Sequence, residues 1–313
     1  MQPREPSRPP GRPPDRRTIL ARMNGGERLK LLQRSDRKGL VRLAGHLAAL
    51  GLTGVPIALE APGWPLLLLP HGILLAFLFC LLHEAVHRTP FRSSWLNTAA
   101  ACGVGFVLFL PPAWFRHFHL AHHRHTHDPE RDPELARPLS RSKRGLAWHI
   151  AGGAYLTRQA RMLLVNAAGR NRDAFVPASA RGAVAREARW FLLLYAGAAA
   201  ASVYFGALTL LWLWLWLLPV MLGQPFMRLY LLAEHTGCPH VPEMLRNTRT
   251  TFTNPLVRFF AWNMPYHVEH HVLPTVPFHR LPAFHKILRD DLTVTAKGYP
   301  AAARAAGSAG GGG

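Results

Sequence analysis

The chain has 313 residues, 49% of them apolar, and 37 basic against 17 acidic side chains give it a formal net charge of +20. A soluble globular domain does not combine so apolar a composition with so large a charge, and a disordered chain lacks the apolar content. Nucleic acid is excluded as a partner because the basic residues flank long apolar runs, with no basic motif interleaved with aromatics.

Residues 1–38 are basic and rich in Pro and Arg, and the part up to residue 17 reads as disordered, with no apolar core of a signal peptide before the first long apolar run. Four runs, at about 41–60, 64–82, 190–206 and 207–223, are long enough or nearly so to cross a hydrocarbon core of ~30 Å at ~1.5 Å per residue. Residues 99–114 are mostly apolar, end in Pro111-Pro112, and read as a re-entrant or interfacial segment. The helical pattern of the fourth run continues past residue 223 to His235, with a kink expected at Pro225. The body of the protein is therefore expected to span 39–300, followed by a disordered Ala/Gly tail at 301–313. Cys80, Cys102 and Cys238 are isolated and form neither a disulfide framework nor a cysteine metal site.

The basic residues fall in three places: 12 before Leu43, 16 from Arg88 to Arg189, and 9 from Arg228 onward. The links between the first and second runs and between the third and fourth carry none. The positive-inside rule then puts both termini and the central segment in the cytoplasm. The expected fold is all-α: a four-helix transmembrane bundle with a helical cytoplasmic cap, multi-pass in a bacterial inner membrane.

Three short windows hold eight of the 18 histidines. They are His83-x-x-x-His87, His119-x-x-His122-His123 and His267-x-x-His270-His271. Residues three and four apart share a helix face, so each window aims its imidazoles at one point. Eight rings exceed the four that a tetrahedral zinc accepts and suit two metal ions with open positions. His235 is a candidate ninth ligand. His117, His125 and His127 flank the second window at other offsets, and His46, His71, His149, His240, His279 and His285 default to structural roles. Acidic residues crowd the same regions, and a ligating imidazole usually gives its second N–H to a carboxylate, a role expected of Asp132 and Glu269. The first window follows the second run directly and the others lie in basic segments, so all three share a side. An even number of crossings must separate them, which is why 99–114 is not read as a span.

The ordered set HxxxH, HxxHH and HxxHH, split two and one around a pair of transmembrane helices, resembles the membrane fatty acid desaturase and hydroxylase superfamily. The likeness runs from about Leu81 to Phe284. It includes Arg131-Asp132-Pro133-Glu134, Ala233-Glu234-His235-Thr236-Gly237, and Tyr266 to His271 followed by Pro274, Pro277 and Leu281-Pro282. It implies a diiron centre, cytoplasmic histidine boxes and oxygen-dependent attack on an unactivated C–H bond. The ligand role carries onto His83, His87, His119, His122, His123, His267, His270 and His271, and onto His235. Animal acyl-CoA desaturases place an asparagine one turn before the histidine corresponding to His235, where this chain has Leu231, so their coordination sphere does not transfer whole.

The expected activity is an oxidoreductase that uses O₂ and two iron ions to insert a double bond into an acyl chain of a membrane lipid or other carrier. The alternatives are a membrane diiron hydroxylase or a carotenoid ketolase or hydroxylase, and, further off, a histidine-rich metal transporter. The chain has no haem motif, CxxC set or Gly-rich nucleotide turn. Electrons are therefore expected from an external donor such as a ferredoxin or haem protein, docked on basic residues such as Arg141 and Arg144.

Overall fold

The computed structural model describes residues 13–136, 140, 142–206 and 211–310. Two short helices, α1 (Arg16–Ala21) and α2 (Gly25–Leu32), precede α3 (Asp36–Ala58), whose Ser35 cap accepts from the Lys38 N–H. A 3₁₀ turn, Trp64–Leu67, leads into α4 (Leu68–Val86). Helices α5 (Ser94–Val107) and α6 (Pro112–His125) form a pair bent by 100°. After α7 (Lys143–Ile150) and α8 (Gly153–Ala167) comes the long α9 (Ala178–Phe205). A π-helical turn, Leu213–Leu217, opens α10 (Leu218–His235). The last part holds α11 (Met244–Asn247), β1 (Thr250–Phe252), α12 (Pro255–Phe260), α13 (His267–Val272), α14 (Leu281–Leu288), β2 (Thr295–Lys297) and α15 (Tyr299–Gly310). The two strands pair in parallel, Thr250 opposite Thr295.

Four helical segments among the described residues are long and apolar enough to cross a membrane: Gly25–Ala58, Trp64–Val86, Ala178–Phe205 and Leu213–His235. They match the four expected runs, and residues 207–210 of the fourth lie outside the described part. The chain is thus a helical integral membrane protein. Exposed Leu47 and Leu52 on α3, and Trp190, Leu193 and Leu194 on α9, present the apolar surface that such helices turn to lipid.

Two glycines bring α4 and α10 together. A Cβ built on Gly72 would stand 2.1 Å from the Pro219 carbonyl oxygen, and one on Gly223 2.0 Å from that of Gly72, so the helices meet backbone to backbone. They run in the same direction, and each ends in histidine. Pro219 has no N–H to offer the Leu215 carbonyl one turn earlier. His71 Nε2 lies 3.1 Å from that oxygen, and its Nδ1 lies 2.7 Å from Thr53 Oγ. The deep histidine therefore serves an orphaned backbone acceptor. Pro225 sits inside α10 without ending it.

The bent pair at α5 and α6 explains how residues 99–114 turn back. The last carbonyls of α5 are met by side chains: Tyr195 Oη donates to Phe106 at 2.8 Å, Trp216 Nε1 to Val107 at 2.7 Å, and Tyr155 Oη to Leu108. A helix end at membrane depth needs such partners, since lipid supplies none. The start of α6 is fixed in turn by Glu187, which accepts from the Ala113 N–H at 2.7 Å, and by Asp173, which accepts from Trp114 Nε1 at 2.7 Å.

Two terminal expectations need correction. Residues 16 and 17 belong to α1, anchored by buried Ile19, although the segment to residue 17 reads as disordered in sequence. The Ala/Gly tail is helical through Gly310, as its alanines favour, and buried Ala302 packs with Ala233 and Ala296. Residues 1–12 and 311–313 lie outside the described part.

Candidate metal centre

Each histidine window ends or occupies a helix that the bundle aims at one place. His83 lies in the last turn of α4 and His87 caps it, and the chain then leaves through Arg88 at a left-handed φ of 60°. His119, His122 and His123 share the buried face of α6; His235 is the last residue of α10; His267, His270 and His271 make up half of α13. Two groups result. The candidate ligand nitrogens of His83, His87, His119, His123 and His270 all lie within 4.8 Å of one another, as do those of His122, His235 and His271. His267 joins the second group, its Nε2 3.0 Å from that of His235. The split follows from helix geometry: on α6, positions 119 and 123 point one way and 122 the other, and α13 divides 270 from 267 and 271 in the same manner.

The spacing within the groups tests whether ions fit. The Nε2 atoms of His87 and His119 are 2.8 Å apart, those of His119 and His123 2.9 Å, and those of His123 and His270 3.1 Å. In the other group His122 and His235 are separated by 3.3 Å. Two nitrogens bound at ~2.1 Å to a common ion and at right angles to each other stand ~3.0 Å apart. A chain of facing imidazole nitrogens has too few protons to satisfy itself, whereas a cation at each focus satisfies all of them. His271 Nε2, buried and without a hydrogen-bond partner among the described residues, makes the same point at a single atom.

Three of the outer nitrogens, those of His122, His235 and His271, are held by acceptors. Asp132, itself buried, takes His122 Nδ1 at 3.0 and 3.1 Å and also accepts the backbone N–H groups of His127 (2.8 Å) and Glu134 (2.9 Å). The backbone carbonyl of Asn247 lies 3.2 Å from His235 Nδ1, and Thr126 Oγ 3.2 Å from His271 Nδ1. Three more carboxylates stand near: Glu134 at 3.6 Å from His122 Nδ1, Glu234 at 3.4 Å from His267 Nδ1, and Glu84 at 3.9 Å from His270 Nδ1. A proton kept on Nδ1 leaves the Nε2 lone pair for the focus. Burial pushes the Asp132 carboxyl up, but the His122 bond and the two backbone N–H groups outweigh it and leave it below the usual range. Burial, reinforced by neighbouring rings, holds His267, His270 and His271 well below the ordinary imidazole range. Their rings are neutral at neutral pH, the form that binds metal.

All nine histidines singled out in sequence come together. Glu269 does not join them: buried on the far side of α13, it accepts from His285 Nδ1 at 2.5 Å and from Thr250 Oγ at 2.6 Å. Its place between His267 and His270 in sequence puts it a helical face away from both, since neighbours on a helix do not point together. His117 and His125 stay outside both groups. His127 turns to the Pro239 carbonyl at 3.1 Å and stacks on His240. The Asn247 carbonyl has no sequence signature, because any residue would present the same oxygen. Glu234 carries a signal in being adjacent to His235, although the ring it approaches is His267 of the third window.

An apolar wall meets the five-histidine group. Phe115 stacks on His119 with ring centroids 5.4 Å apart, and Phe79 lies 6.2 Å from His83 and 5.5 Å from Phe115. No curated protein matches the chain. The family model for fatty acid desaturase matches residues 61–300, a stretch that contains all nine histidines, three of the four candidate membrane helices, the bent pair and the carboxylates around the centre. The chain belongs to the fatty acid desaturase family.

Proposed function

We propose that the protein is an oxygen-dependent acyl-lipid desaturase whose two iron ions are held by His83, His87, His119, His123 and His270 on one side and His122, His235, His267 and His271 on the other. The observation that carries this reading is the convergence of nine imidazoles, seven of them buried and those of His87 and His235 partly so, in two groups, at the shared end of α4 and α10. Iron is preferred to zinc because breaking an unactivated C–H bond requires redox chemistry, and reduced iron with O₂ supplies it when bound. The residues of the chain do the rest. Asp132 and the Asn247 carbonyl orient His122 and His235, and the burial of the rings excludes water. Phe79 and Phe115 offer a methylene chain an apolar surface beside His83 and His119. Leu231, one turn before His235, offers no hydrogen-bonding group, so the coordination sphere of the animal acyl-CoA desaturases does not carry over whole.

The basic counts support a cytoplasmic histidine end in a bacterial inner membrane. An external ferredoxin or haem protein would deliver electrons there. Arg144 on α7 is exposed beside exposed Leu146 and Trp148, a mixed surface suited to such docking; Arg141 lies outside the described residues. Neutralising Arg144 should reduce the salt sensitivity of turnover. The decisive experiment supplies reduced donor, O₂ and lipids of defined chain and weighs the product. Loss of two hydrogens supports desaturation; gain of one oxygen transfers the assignment to a hydroxylase or ketolase.

A further inference from the structure

One cleft lies away from the histidines. It measures about 450 Å³ and is lined by Gln33, Arg34, Ser35, Asp36, Lys38, Arg92, His279 and Arg280. Three elements build it: the start of α3, the turn after the first histidine window, and the turn after the third. Gly39 fixes their approach, since a Cβ there would stand 2.4 Å from the Pro90 carbonyl oxygen. Asp36 is the single acid, and it is committed to Ser93, accepting from its N–H at 2.8 Å and its hydroxyl at 2.7 Å. None of the four cations makes an ion pair among the described residues. Arg280 gives one N–H to Gln33 at 3.0 Å, while its Nε and His279 Nδ1 lack a hydrogen-bond partner among the described residues.

Four cations around one open cleft repel one another, so the arrangement calls for an anion. Guanidinium groups on several sides match the oxygens of a phosphate, with two N–H groups available from each. Position narrows the source. Directly after Lys38, α3 exposes Leu40 and Val41, and further on Leu47 and Leu52, so the cleft opens where a lipid-facing apolar column begins. We propose that this cleft binds the phosphate of an anionic membrane lipid, with the acyl chains lying along α3. The proposal is independent of the reaction assigned to the metal centre.

Native mass spectrometry of the intact protein with phosphatidic acid or phosphatidylcholine tests it. The wild type should retain one phosphatidic acid and no phosphatidylcholine. The triple variant R34Q/R92Q/R280Q should bind phosphatidic acid on the order of 100-fold more weakly, a factor of about five for each cation removed near an anionic headgroup. The triple variant R170Q/R172Q/R186Q, on exposed arginines elsewhere, should bind as the wild type does. Equal retention by both triples, or equal loss, overturns the site. So does retention of the neutral lipid to the same extent. If inorganic phosphate alone raises the melting temperature in phosphatidylcholine as much as phosphatidic acid does, the lipid assignment is overturned in favour of a free anion. Should the first triple not fold, as judged by metal content, the K38Q/R92Q pair on two exposed side chains takes its place, with an expected loss of about 25-fold.

Discussion

Replacing Gly223 by alanine puts the link between helix packing and metal binding under direct test. The new methyl would stand 2.0 Å from the Gly72 carbonyl oxygen and 2.5 Å from its carbon, where real side chains come no nearer than 3.0 Å. Neither atom can turn aside, because both are backbone, so α4 and α10 must separate by about 1 Å. Overpacking of this kind costs about 1–3 kcal/mol. The two helices carry different ligands: His83 and His87 on α4, His235 on α10. A 1 Å displacement stretches the contacts of His235 with His267 and His122, now 3.0 and 3.3 Å, to about 4 Å, beyond what two nitrogens on one ion allow. Metal analysis of G223A should therefore fall from two ions per chain toward one, with a lower melting temperature in the same detergent. Gly197→Ala on α9 is the control: nothing lies within 4 Å of its added methyl, and removing a helical glycine should stabilise by about 0.5–1 kcal/mol. A G223A protein with two ions and wild-type stability would refute the argument, as would equal losses in both variants.

Three further outcomes follow from the site and its supports. Asp132→Asn keeps the shape but removes the charge that holds His122, and should weaken metal binding about 10–100-fold in a chelator competition, with smaller change in helix content. Trp216→Phe should leave the Val107 carbonyl without its donor at the α5 turn and destabilise by about 1–3 kcal/mol in chemical unfolding, while metal content stays at the wild-type level. The third concerns pH and the metal-free protein. His267, His270 and His271 are depressed in the folded state, so the unfolded chain binds more protons; stability is complete above the ordinary imidazole value and is lost as pH falls below it. Unfolding below pH ~6.5 should show a loss of up to about 1.4 kcal/mol per pH unit for each histidine, and a flat profile between pH ~7.5 and ~5.5 would sink this account.

The nine histidines were legible because helix periodicity decides which residues share a face; their division into two groups was not, because each window reads as aiming at one point, whereas His119 and His123 face one group and His122 the other. The four spans were legible for a similar reason, since hydrocarbon thickness sets a length that apolar runs reveal. Even the return of residues 99–114 could be inferred, from the need to keep three windows on one side. The sequence did not reveal what holds that return in place. Nothing in the sequence marks Tyr195, Trp216 and Tyr155 for this role, and only tertiary packing points their polar atoms at the orphaned carbonyls of α5. Glu269 misleads for the complementary reason: adjacency to ligands along the chain suggests support, whereas the helix turns it toward His285. Alanine-rich composition at the C terminus reads as low complexity, yet the same residues form a helix once Ala302 finds a surface to pack against.

Charge gives the arrangement of carboxylates a purpose that no single contact shows. On the proposed loading, two divalent ions would bring about four positive charges among nine imidazoles, which bind metal in their neutral form. Asp132, Glu134, Glu234 and Glu84 each place an oxygen within 4 Å of a ring nitrogen. Ionised together beside those ions, the four carboxylates would leave the loaded centre close to neutral, which lowers the cost of burying it. Their distribution is uneven: Asp132, Glu134 and Glu234 serve His122 and His267 of the four-histidine group, while Glu84 alone faces the five-histidine group through His270. Since ligand nitrogens supply the affinity and carboxylates the neutrality, the group richer in rings is poorer in charge.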